Sequence, residues 1–95
     1  MIRQAADRLM VECPLTQETA SALLSAGKTA LVAGGVTLFD LAGVTEADST
    51  ALALVFAWQR AARTVGGTVR IANPPASLLS LAELYDLTDL LPLQV

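Results

Sequence analysis

The chain has no histidine among its 95 residues, which removes the commonest general base and the commonest transition-metal ligand. A Ser-His or Cys-His nucleophile cannot be assembled. Its one cysteine, Cys13, cannot close an internal disulfide, so the chain has no oxidised framework and is compatible with a reducing compartment. No cation neighbours Cys13 in sequence, which marks an inert thiol, and one Cys without His does not make a metal cluster. Cations are scarce as well: 6 Lys and Arg stand against 9 Asp and Glu, for a net charge of -3. That leaves no basic stripe to neutralise phosphates, and nucleic acid drops out as a partner. Long hydrophobic runs are also missing. A spanning helix wants about 20 predominantly apolar residues, and Lys28, Asp40, Asp48, Arg60, Pro74 and Pro75 interrupt every stretch first. No apolar run follows Arg3 at the amino terminus, which argues against a secretory signal. The expectation is a cytoplasmic chain that meets a membrane only through its neighbours.

The chain is rich in apolar side chains, 54% against 16% charged, where soluble domains have roughly 45–50% and 25%. Part of that excess is expected to face a partner. At this length the reading is one domain, residues 1–95. Residues 8–13 read as a short strand ended by Pro14, better placed at a sheet edge than at its centre. Thr16 or Gln17 opens a helical rhythm through Ala20, Leu23, Leu24, Gly27 and Leu31, with Gly34-Gly35 as its carboxyl-terminal cap. Val36 to Leu41 is short, β-branched and apolar, as in a strand covered on both faces at the centre of a sheet. Asp48-Ser49 starts a second helix that runs to Val65 and ends at Gly66-Gly67. Thr68 to Asn73 is a further strand, and Pro74-Pro75 sets φ for a third helix over 76–85. Strand, helix, strand over 36–73 is one right-handed crossover, so the predicted fold is α/β: a small mixed sheet with a parallel centre and about three to four helices.

No cofactor motif is present. The glycine pairs lack the Lys-Ser/Thr of a phosphate loop and follow helices instead of preceding them. Glu83 with Asp86 reads as a solvated helix face, not an acid-base pair, and an enzyme is not expected. One constellation has content. Asp48, Ser49 and Thr50 put an acid and two hydroxyls at a helix start, where free N–H groups and the helix dipole favour a negative group such as a phosphate on Ser49 or Thr50. The plainer reading is an N-cap worth about 1 kcal/mol. Residues 51–58 carry no polar side chain, so this helix is apolar all round. A sheet-facing stripe needs only Leu52, Val55, Phe56 and Ala62. Leu54, Trp58 and Ala61 then face either a neighbouring helix or a partner, with Gln59, Arg60 and Arg63 as the rim.

Val36 to Thr45, Asp48 to Leu54, Trp58-Gln59-Arg60, Val69 to Pro75 and Leu81 to Tyr85 together resemble a STAS domain, the fold of anti-sigma factor antagonists and of transporter regulatory domains. The Trp-Gln-Arg helix end and the Asn-Pro-Pro leading into Leu-Tyr resemble its MlaB-like branch, a small subunit of phospholipid-transporting ABC complexes that maintain outer-membrane lipid asymmetry. The resemblance implies a non-catalytic subunit that binds and regulates the transporter ATPase, peripheral at the inner face of the inner membrane through its complex. Asp48, Ser49, Thr50, Leu54 and Trp58 would form the partner-binding or regulatory face. The alternative it implies is an anti-sigma factor antagonist bound by a kinase that phosphorylates Ser49. The chain departs from the antagonists' Asp-Ser-Ser-Gly pattern at Thr50 and Ala51, and it has Cys13-Pro14 where a Gly is usual near the end of the first strand.

Overall fold

Side-chain alternation along short strands builds a sheet with one covered face. The computed structural model describes residues 2–5 and 7–93, so the single-domain expectation also reaches residues 1, 6, 94 and 95, which lie outside the described residues. Strands β1 (Ile2–Gln4), β2 (Leu9–Val11), β3 (Val36–Asp40) and β4 (Thr68–Ala72) form one sheet in the order β1-β2-β3-β4. β1 runs antiparallel to β2, whereas β2, β3 and β4 are parallel, with Phe39 opposite both Leu9 and Ile71. The mixed sheet with a parallel centre is as the sequence predicts. Register and the two-residue period place Leu9, Val11, Thr37, Phe39, Val69 and Ile71 on one face, and all are buried. Val36, Thr68 and Arg70 lie on the other and are exposed.

Helix α1 (Gln17–Ala30) links β2 to β3, and α2 (Ser49–Thr64) links β3 to β4. Helix α3 (Ala76–Leu84) follows β4, and a 3-10 turn at Thr88–Leu90 leads the chain back, where Ile71 N–H donates to Pro92 O at 2.8 Å. In the helix layer α2 packs against α1 on one side and α3 on the other. Its Trp58 stacks on Phe39 of β3, with ring centroids 4.1 Å apart and planes 2° from parallel. That contact joins the helix layer to the middle of the sheet.

Besides β3, which was expected to be covered on both faces yet leaves Val36 in solvent because the helices lie against one face only, two sequence expectations fail here. Residues 8–13 were expected at a sheet edge, yet β2 lies between β1 and β3. The edge is β1, whose three residues are too few to show a period, and Pro14 falls outside the ladder, where its missing N–H costs nothing. The second concerns Gly34-Gly35, which do not cap α1. That helix ends at Ala30, and Val32 N–H turns instead to the Thr37 hydroxyl at 3.1 Å. Gly34, with φ +71°, shapes the following turn, where its N–H donates to Val65 O at 3.0 Å. At α2 the expectation holds: Gly66 adopts φ +71° directly after the helix. Gly67 is required by space, because a Cβ there would lie 2.6 Å from Val32 O.

Candidate functional site

A buried carboxylate that the sequence did not single out as a site residue stands at the end of β3, where the loop toward α2 begins. Asp40, 4% exposed at the end of β3, accepts three hydrogen bonds from three segments. Ala42 N–H and Asn73 Nδ2 reach its Oδ1 at 2.9 and 3.1 Å, and Arg8 Nη1 reaches Oδ2 at 2.9 Å. Burial by itself pushes this carboxyl up, but the Ala42, Asn73 and Arg8 hydrogen bonds outweigh it and hold the group below its ordinary value. Asn73 sits in the left-handed region at φ 51°, a conformation asparagine tolerates, and this turns its amide toward Asp40. The only advance signal was a charged residue closing an otherwise apolar strand.

From Asp40 the chain passes buried Leu41 and Val44 and is stitched to the segment before α1. Leu15 N–H donates to Glu46 O at 2.8 Å, and Asp48 N–H donates to Leu15 O at 3.1 Å. Gly43 passes close under β2, where a Cβ would lie 3.1 Å from Val11 O. The loop is thereby held along its length by backbone and core contacts. It delivers Asp48 as the N-cap of α2, in extended conformation, its Oδ1 accepting from Thr50 N–H at 2.8 Å. That N–H holds the Asp48 carboxyl below its usual value. Asp48 and Ser49 are exposed and Thr50 is half-buried. Three of the five predicted residues therefore share one surface, at the positive end of a 16-residue helix.

Leu54 and Trp58 do not join them. They are 4% and 0% exposed, and Trp58 Nε1 donates to Leu23 O of α1 at 3.1 Å. Gly27 of α1 lies against the indole, which would overlap a Cβ at that position. The physical reason is that α2 has a helix on either side, so it buries far more than the stripe a lone sheet-packed helix needs. The second apolar face is covered by the chain itself, and Trp58, expected away from the sheet, lies against both α1 and Phe39 of β3. Among the described residues no group of acids, Cys or His could hold a metal, and no helix is long and apolar enough to cross a membrane.

A family model described as "Mlab, STAS domain" matches residues 2–92. Among solved structures, a candidate anti-sigma factor antagonist from Thermotoga maritima superposes with a TM-score of 0.74 at 15% identity, over 98% of this chain and 83% of that one. The unphosphorylated form of the anti-sigma factor antagonist SpoIIAA gives a TM-score of 0.64 at 14% identity, over 88% and 81% of the two chains. At such identities the likeness establishes the fold. No curated protein sequence matches the chain.

Proposed function

The chain belongs to the STAS domain family, and from that premise we propose that it is a non-catalytic subunit that binds and regulates the ATPase of a phospholipid-transporting ABC complex. In this reading it sits at the inner face of the inner membrane only through that complex, and the transport it supports maintains outer-membrane lipid asymmetry. The observation that carries the proposal is the exposed start of α2: Asp48, Ser49 and Thr50 follow a loop tied to Leu15 by two backbone hydrogen bonds. A small hydroxyl surface on a rigid support suits a close-fitting contact, and a bulky acid there would oppose it. Leu54 and Trp58 support this surface from the core and do not touch the partner.

The test is co-purification with the ATPase. Ser49→Glu is expected to lose the complex, and Ser49→Ala, which keeps the surface small and uncharged, to retain it. Retention by a normally folded Ser49→Glu contradicts the proposal. A second reading, an anti-sigma factor antagonist switched by phosphorylation of Ser49, is favoured by the exposure of that hydroxyl at a helix amino terminus. Against it stand Thr50 and Ala51, where the antagonists' Asp-Ser-Ser-Gly pattern has Ser and Gly. Incubation with ATP and a partner kinase followed by mass measurement decides this: no added phosphate on Ser49 removes the reading.

A further inference from the structure

We propose that the outer surface of α3 and the turn after it is a second docking face, and that its occupant is a cationic amphipathic helix of a partner protein. Large apolar side chains reach solvent here in concentration. Leu84 is 74% exposed, Leu90 60%, Tyr85 52% and Leu79 36%. Isolated exposed leucines carry no meaning, but a run of them along one edge of a layer marks a contact surface. They are not displaced core residues, because the same segment fills its core positions with other side chains. Leu78, Ala82 and Leu91 are buried, and Leu81 and Leu87 pack against the core.

The way α3 ends sets this division. Asp86 takes the left-handed conformation at φ 58°, and Leu87 N–H turns back to donate to Ala82 O at 2.7 Å. This draws Leu87 inward while Leu84 and Tyr85 remain outside.

Charge decides which partner fits. Glu83, Asp86 and Asp89 stand exposed among these apolar side chains, and the sequence has no Lys or Arg after Arg70. Ser80, Glu83 and Leu84 line one open hollow on this face. An anionic membrane or another acidic surface would be repelled by the three carboxylates. A helix with leucine-type anchors at i, i+3 and i+4, rimmed by Lys or Arg, satisfies both the apolar anchors and the acids. The face is separate from the Ser49 surface. Helices α2 and α3 both start from the carboxyl-terminal ends of the strands they follow, and α3 carries the chain away from that end before reaching Leu84.

The probe is a fluorescent synthetic amphipathic helix with Leu on one face and Lys on the other, titrated into the full chain. Binding is expected to weaken at least tenfold in Leu84→Ser/Tyr85→Ser and in Glu83→Lys/Asp89→Lys, and amide resonances of 79–90 are expected to shift in the wild type. These side chains are exposed, so the variants retain the fold, which circular dichroism checks. An analogue with Glu in place of Lys is expected not to bind. Unchanged affinity in both variants, equal binding of the Glu analogue, or shifts mapping to 48–50 overturns the proposal. So does sedimentation of the chain with anionic phospholipid vesicles, or a self-association that Leu84→Ser abolishes, since each names a different occupant.

Discussion

Helices α2 and α3 are both rich in apolar residues, yet they use them in opposite ways. Helix α2 buries Ala51, Leu52, Leu54, Val55, Trp58 and Ala62, whereas α3 buries only Leu78 and Ala82 and leaves Leu79 and Leu84 in solvent. The difference lies in their neighbours. Helix α2 is flanked by α1 and α3 above the middle of the sheet, and α3 has α2 on one side only. An apolar helix face therefore signals a partner only where the fold supplies none. By that criterion Trp58 is structural, and the apolar candidates for contact move to α3.

That contrast can be broken most directly at its two extremes. Trp58→Ala removes the ring stacked on Phe39 and the hydrogen bond to Leu23 O, and is expected to cost about 3–5 kcal/mol in denaturant unfolding. A loss as small as that of a surface substitution would mean that the Trp58 flank of α2 is not core. Gly27→Ala forces a methyl into the indole and is expected to cost roughly 1–3 kcal/mol. Adding it to Trp58→Ala should cost less than the sum, because the two share one space.

The buried carboxylate at the end of β3 gives the next effect. Asp40→Ala leaves three donors without their common acceptor and is expected to lower stability by about 1–3 kcal/mol. Because the Asp40 carboxyl is held below its ordinary value of 3.8, its contribution is complete above that value and disappears as the pH falls through the lower folded one. Acid titration of unfolding should therefore show a steeper loss for wild type than for Asp40→Ala, and parallel curves would remove the network from the account. Asp48→Ala deletes an N-cap whose carboxylate accepts from Thr50 N–H and should cost about 1 kcal/mol. Smallest is Leu84→Ala, 74% exposed, expected within about 0.5 kcal/mol of wild type. A larger loss would show that α3 also packs on that side.

Much of the architecture was legible because it depends on neighbours in sequence. The β-branched run at 36–41, the cap at Asp48 and the glycine at 66 each act within a few residues, and β3, α2 and β4 begin and end close to where those signals stand. β1 was not legible, since three residues form a strand only when β2 is already there to pair with them. Asp48, Ser49 and Thr50 could be read from helix-start chemistry, but the cluster of Arg8, Asp40 and Asn73 could not. Arg8 and Asn73 lie 32 and 33 residues from the carboxylate they share.

By itself the sequence determined an α/β chain with a parallel crossover, a capped hydroxyl-bearing helix start and no histidine chemistry. Those properties follow from short-range periodicity, backbone preference and composition. Only the tertiary structure decided that Trp58 belongs to the core, that β2 lies inside the sheet and that α3 stands at the edge of its layer. Burial is settled by which elements become neighbours, and that depends on contacts between residues far apart in the chain.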